Sequence, residues 1–156
     1  MMKIYDDVIE GDLLKEVKTG IIVHGCNAQG VMGGGFAYQV KKMYPEVFKT
    51  YNAWCLRYMD VTEHMLGMVQ NVEVNRSTFY IANAITQDQY GTNCRHVNYE
   101  AVAQCFAAVA NTARLTELHV HYPLIGAGLA GGNWNIISVI IDEALKGIPH
   151  TLWRFP

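Results

Sequence analysis

No excess of positive charge marks this sequence: 12 Lys and Arg stand against 14 Asp and Glu, giving a net charge of −2. The electrostatic footprint of a protein that grips nucleic-acid backbones is therefore missing, although a nucleic-acid end or a small nucleotide is still compatible with that balance. Long apolar runs are missing too. The longest late one, Ile136 to Ile141, is broken by Ser138, and the opening MMKIYDDVIEGD carries no apolar signal core. A cytoplasmic protein without membrane contact is expected. The four cysteines (Cys26, Cys55, Cys94, Cys105) form no C-x-x-C pair, which excludes a zinc knuckle and a disulfide framework. Cys26 adjoins a polar cluster but has no base at a telling spacing, so all four read as reduced thiols. Repeats, low-complexity segments and linkers are absent as well. A chain of 156 residues, 51% hydrophobic, is expected to form one domain, 1–156, that buries a real core. No visible spacing calls for a metal or a cofactor.

Glycine, in contrast, is concentrated. Between Ile21 and Phe36 the chain reads IIVHGCNAQGVMGGGF, an apolar strand pattern that ends in polar His24, Asn27 and Gln29 and then in Gly33, Gly34 and Gly35. Glycines between a strand and a helix let the backbone come close to a ligand and leave N–H groups at the helix N-terminus to meet an anion. A phosphate-bearing ligand is the first expectation.

In chain order, Lys3 to Val8 predicts a short first strand. Asp12, after a turn glycine, suits a helix N-cap. Ile21 to Gly25 predicts a central strand covered on both faces. Phe36 to Met43 opens a helix, and Pro45 restarts one, because proline fits a first turn and not an interior. Val47, Phe48, Tyr51, Trp54, Cys55 and Tyr58 then recur at helical spacing and read as core. Gly67 to Val74 and Thr78 to Ile85 predict a hairpin about Asn75-Arg76-Ser77. The polar loop Thr86 to Val97 leads to a helix capped by Asn98. Leu118 to Ile125 predicts a strand with His119 and His121 on one face, ordinary sheet histidines with no third metal ligand in register. A helix from Trp134 to Leu145 and a strand from Thr151 to Phe155 close the chain. The elements read ββα, ββ, α, β, α, β, an α/β chain with a three-layer α/β/α arrangement and a mixed central sheet.

The segment Gly126 to Gly131, GAGLAG, matches the dinucleotide fingerprint G-x-G-x-x-G in letters only. That unit normally opens its domain and carries an acidic residue about twenty residues later. Here the glycines lie near the end, and no acidic residue follows Glu143. A P-loop is excluded by the missing Gly-Lys-Ser/Thr. Two glycine loops are left, Gly30 to Gly35 and Gly126 to Gly132, each after an apolar strand and before a helix. If their strands are adjacent and parallel, the loops flank one crevice at the strand carboxyl ends and suit a diphosphate. Neither loop holds Lys or Arg, so backbone N–H groups and helix dipoles would make the contacts.

The segments GDLL at Gly11 to Leu14, HGCNAQGVMGGGFAYQV from His24 and PLIGAGLAGGNW at Pro123 to Trp134 together resemble a macrodomain, an ADP-ribose-binding module, over essentially the whole chain. The first glycine loop is most similar to the ADP-ribose-1″-phosphate phosphatase branch, including its yeast and phage-type members. The resemblance implies the macrodomain fold, ADP-ribose or a derivative such as ADP-ribose-1″-phosphate as the partner, and hydrolysis of that phosphate. A non-catalytic reader of ADP-ribose, or a hydrolase acting on ADP-ribosylated protein or nucleic acid, are the alternatives.

Position by position, the resemblance implies that Asp12 accepts the adenine amino group, beside the Leu13 backbone. Asn27 would hold the distal ribose. Gly33, Gly34, Gly35 and Phe36, with Gly126, Ala127, Gly128, Leu129, Ala130 and Gly131, would wrap the diphosphate and distal ribose. Trp153 would stack on adenine or serve as a core tryptophan. His24 and Asn27 are the catalytic candidates. His24, with an ordinary pKa near 6.5, could protonate a leaving ribose oxygen or position a water. Asp88, Tyr90 and His96 are candidates for a second group. The related branch that frees carboxylate side chains uses a lysine and an aspartate where the resemblance places Gln87 and Ala130 in this chain, so that chemistry is not expected here.

Overall fold

The computed structural model describes residues 8–128 and 130–156. Strand β1 (Val8–Glu10) is followed by a four-residue helix α1 (Leu13–Glu16), then β2 (Gly20–Asn27), α2 (Gly35–Met43) and α3 (Pro45–Leu56). A 3-10 turn, Thr62–Met65, leads to β3 (Val69–Asn75), β4 (Phe79–Gln87) and α4 (Tyr99–Thr116). The chain ends with β5 (Val120–Tyr122), α5 (Trp134–Ala144) and β6 (His150–Arg154). Among the described residues the strands form one sheet in the order β1-β6-β5-β2-β4-β3. All neighbours run parallel except β3, which pairs antiparallel with β4 at the edge. This is the mixed α/β/α sandwich expected from the element order.

Alternation along β2 builds both layers. Ile21 and Val23 pack with Val102, Phe106 and Ile137 under α4 and α5. Ile22 and Cys26 pack on the opposite face with Val40, Val47 and Tyr51 under α2 and α3. A strand buried on both sides must be apolar throughout, and the polar His24 within it is therefore conspicuous. Within the helical stripe of α3, Val47, Tyr51 and Cys55 are fully buried while Phe48, Trp54 and Tyr58 pack at the margin.

Several boundaries differ from the sequence reading. β1 begins no later than Val8 and runs on to Glu10; Lys3 to Asp7 lie outside the described residues. β2 continues to Asn27, because its pairing with β4 extends through Asn27↔Gln87. β5 stops at Tyr122: Pro123 has no N–H to give a ladder, and the chain turns away into the second glycine loop. Asn98 caps α4 as expected, its Oδ1 accepting the Ala101 N–H at 2.9 Å. No helix among the described residues is long and apolar enough to cross a membrane.

Candidate functional site

β2 and β5 are adjacent and parallel, with Ile21 opposite Val120 and Ile22 opposite His121. Their two glycine loops accordingly leave the sheet side by side at the carboxyl ends. Between them lies a hollow of about 630 Å³. A second hollow of about 840 Å³ adjoins it at the ends of β1 and β6. Gly35, Phe36, Pro123 and Leu124 line both, which makes the two one continuous cleft.

The first loop is braced from three sides. Asn27 Oδ1 accepts the backbone N–H of Gln29 at 2.9 Å and of Val31 at 3.3 Å, while its Nδ2 donates to the Val31 carbonyl at 2.8 Å. The buried Tyr51 hydroxyl donates to the Asn27 carbonyl and Oδ1 at 2.6 and 2.8 Å. Asn52 Nδ2 donates to the Gly30 carbonyl at 3.1 Å, and Gln29 Nε2 to Asp88 Oδ1 at 2.9 Å. The loop ends where Gly34 caps α2 and Gly35, at φ +60°, takes a left-handed conformation that few other residues adopt. α2 therefore presents its first-turn N–H groups to the hollow.

The second loop is closed by Gly132 N–H on the Gly126 carbonyl at 2.6 Å and by Gly131 N–H on the Gly128 carbonyl at 3.1 Å. Gly126 is irreplaceable on two counts. Its φ is +73°, and a Cβ there would stand 2.7 Å from Val97 Cγ2. Gly128 has open space in place of a side chain and lines the hollow.

Most of the sequence candidates converge. His24, Asn27, Gly33, Gly34, Gly35, Phe36, Gly126, Gly128 and Ala130 line the first hollow, and Asp12, Leu13 and Trp153 the second. Ala127 and Gly131 line neither; their N–H groups are spent on the Leu124 and Gly128 carbonyls, shaping the loop from within. Leu129 lies outside the described residues. Of the middle-loop candidates only Tyr90 lines the hollow. Asp88 is occupied by Gln29, and His96 bonds Asn93 Oδ1 through Nε2 at 3.1 Å. Gln87 and Ala130 both line the hollow, and neither offers a base or a nucleophile.

Two expectations take a sharper form. Asp12 does cap α1, its Oδ1 accepting the Lys15 N–H at 3.4 Å, and it also lines the cleft, so the two readings coexist. Trp153 is 8% exposed, packs in the core beneath α1 and donates its indole N–H to His121 Nδ1 at 3.0 Å. It forms a fixed wall rather than a free stacking ring. Phe155, which sequence reasoning passed over, is 78% exposed on the same rim and is the ring free to move onto a base.

His24 departs most from expectation. It is 1% exposed, its Nε2 lies 2.7 Å from Asn83 Oδ1, and burial pushes its pKa down to about 4. The imidazole is therefore neutral at neutral pH, and the imidazolium that an ordinary pKa near 6.5 would partly supply is not populated. Cys26 lies 3.5 Å from His24 Nε2, but burial raises its thiol pKa well above the usual value, so no thiolate nucleophile forms. His119 and His121 stack at 4.5 Å, and no group of three His, Cys, Asp or Glu among the described residues could hold a metal.

No Lys, Arg, Asp or Glu lines the first hollow among the described residues. An anion there is met by backbone N–H groups and the α2 dipole. Fold and site thus define an α/β protein with a paired-glycine-loop cleft shaped for an extended, phosphate-bearing ligand.

The chain belongs to the macro domain family: the Macro domain model matches residues 23–141. It is 39% identical to an ADP-ribose 1″-phosphate phosphatase of Saccharomyces cerevisiae, over 94% of this chain and 96% of the yeast protein. It is 27% identical to a DNA ADP-ribosyl glycohydrolase of Mycobacterium tuberculosis, over 89% of this chain but 38% of that longer protein. The solved macrodomain protein of Streptomyces coelicolor superimposes with a TM-score of 0.78 at 34% identity, covering 94% of this chain and 97% of the other.

Proposed function

We propose that this macrodomain binds ADP-ribose along the continuous cleft and hydrolyses ADP-ribose-1″-phosphate to ADP-ribose and inorganic phosphate. One observation carries the reading: two glycine loops on adjacent parallel strands face each other across a hollow without charged side chains, continuous with a second hollow that holds a carboxylate and a free aromatic ring. A diphosphate fits the first element, an adenine the second. Asp12 would accept the adenine amino group, with Leu13 beside it and Phe155 over the ring. The α2 first turn and the second loop would hold the diphosphate, and Asn27 would meet the distal ribose with the Nδ2 proton its loop does not use.

In the reaction a water oxygen bonds to phosphorus, the bond from phosphorus to the 1″ oxygen breaks, and the water's proton passes to that oxygen. At pH 7 roughly one His24 in a thousand is protonated, given a pKa of about 4, so the ring acts as a hydrogen-bond acceptor that orients water. Positioning carries the rest. The likeness to the yeast phosphatase, at 39% identity over nearly the full length of both chains, supports this substrate.

A second reading, removal of ADP-ribose from DNA or protein, is favoured by the likeness to the mycobacterial glycohydrolase. Gln87 and Ala130, standing where the branch that frees carboxylate side chains uses a lysine and an aspartate, argue against that one form of it. A cytoplasmic location is part of the proposal, supported by four free thiols at Cys26, Cys55, Cys94 and Cys105.

Phosphate release from purified protein and ADP-ribose-1″-phosphate decides between the activities. Release well above background is expected, reduced at least tenfold in His24→Ala. No release from the wild type would overturn the phosphatase reading, and equal release from His24→Ala would remove His24 from it.

A further inference from the structure

A polar row crosses the sheet behind the cleft. β2, β4 and β3 are neighbours, and His24, Asn83 and Gln70 occupy one register across them. Their side chains are joined: His24 Nε2 to Asn83 Oδ1 at 2.7 Å, Asn83 Nδ2 to Gln70 Oε1 at 3.1 Å, and Gln70 Nε2 to the Thr50 carbonyl of α3 at 3.3 Å. Asn83 is completely buried among Ile81, Ile85 and the other side chains of that layer. Around His24, the neighbours are Cys26, with Sγ 3.5 Å from Nε2 and 3.8 Å from Nδ1, and the Phe36 ring at 5.7 Å between centroids.

The direction of this chain of hydrogen bonds is fixed at its outer end. A main-chain carbonyl can only accept, so Gln70 must turn its NH₂ toward Thr50 and its oxygen toward Asn83. Asn83 then has to offer its NH₂ to Gln70 and its oxygen to His24. An oxygen faces His24 Nε2 at 2.7 Å and is satisfied there by a protonated Nε2; the Cys26 thiol, 3.9 Å from the same oxygen, is much the longer contact. Each amide orientation, otherwise ambiguous, follows from the previous one.

We propose that Asn83 and Gln70 are positioning residues that hold His24 as the Nε2–H tautomer, leaving Nδ1 as the acceptor that the reaction uses. The proposal rests on the phosphatase reading for its purpose, but not for its geometry. A histidine oriented by a carbonyl oxygen on one nitrogen presents its lone pair at the other, which is the form suited to holding a water by its O–H. The row also explains why an otherwise apolar strand, FYIANAIT, carries an asparagine at its centre.

The position of Gln70, half-buried on the edge strand, permits a reversal experiment. Gln70→Glu is an acceptor only and keeps the direction of the row. Gln70→Lys is a donor only; it demands an oxygen from Asn83, which turns the Asn83 NH₂ toward His24 and requires the Nδ1–H tautomer. Long-range proton–nitrogen NMR on histidine-labelled protein at pH 7 reads the tautomer directly. The expected results are Nε2–H in the wild type and in Gln70→Glu, and a shift to Nδ1–H in Gln70→Lys, with backbone spectra otherwise preserved. Phosphate release by Gln70→Lys should fall about tenfold in kcat with KM within about twofold. Nδ1–H in the wild type, or the same tautomer in both variants, would overturn the proposal. If the tautomers switch and no variant, nor the wild type, releases phosphate, the positioning row stands and the hydrolysis reading alone fails.

Discussion

The Tyr51 hydroxyl, rising from the buried face of α3, lies 2.8 Å from Asn27 Oδ1 and 2.6 Å from its carbonyl. A core residue thereby holds the residue that begins the first glycine loop. Tyr51→Phe keeps the ring and removes only that hydrogen bond. Because Asn27 Oδ1 retains the Gln29 and Val31 N–H groups, the expected loss is about 1 kcal/mol in urea unfolding. ADP-ribose affinity should fall several-fold in the same variant, since a looser loop must be ordered on binding.

Two glycines of the second loop should respond differently. Gly126→Ala meets both a left-handed φ and Val97 at 2.7 Å, and should cost about 2 kcal/mol or more of stability. Gly128→Ala has room for its methyl, so its unfolding midpoint should match the wild type. Its methyl enters the ligand hollow, however, and should weaken ADP-ribose binding at unchanged stability. Paired denaturation and calorimetry check both statements.

Acid should destabilise the protein through His24. Its folded pKa, about 4, lies below the unfolded value near 6.5, so between these values the unfolded chain binds the extra proton. Stability from this group is complete above pH 6.5 and declines as pH falls toward 4, by on the order of 3 kcal/mol. His121, lowered to about 4 mainly by burial and also by His119, adds in the same direction. His24→Gln, which keeps a donor for Asn83, should flatten the pH dependence of the urea midpoint between pH 4.5 and 6.5. For the same reason the wild-type kcat/KM should show no inflection near pH 6.5 that belongs to His24.

The glycine loops, Asp12 and the layered fold were legible because each rests on a local signal: strand, turn glycines, helix, in register along the chain. The parallel pairing of β2 with β5 had to be assumed, since nothing local specifies which strands meet. Tyr51 was hidden in plain view. Helical spacing marks its ring as core and says nothing of where its hydroxyl ends. Sequence leaves Trp153 open between stacking on adenine and serving in the core; burial and His121 hold it in the wall, and Phe155, two residues on, is exposed on the same rim. His24 lines the hollow, and its charge state depends on desolvation, which only three-dimensional packing creates. Asn83 did carry a signal, an amide in an apolar strand, whose partners on the two flanking strands could not be named from sequence.

The central claim is that one ADP-ribose occupies both hollows, with adenine at Asp12 and the distal ribose at the glycine loops. Calorimetric titration of the wild type and Asp12→Ala with ADP-ribose tests it most directly. One saturable site per chain is predicted, weakened about tenfold by Asp12→Ala through loss of the carboxylate's hydrogen bond to the adenine amino group. Absence of saturable binding by the wild type would contradict the account, and equal affinity in the variant would remove adenine from the second hollow.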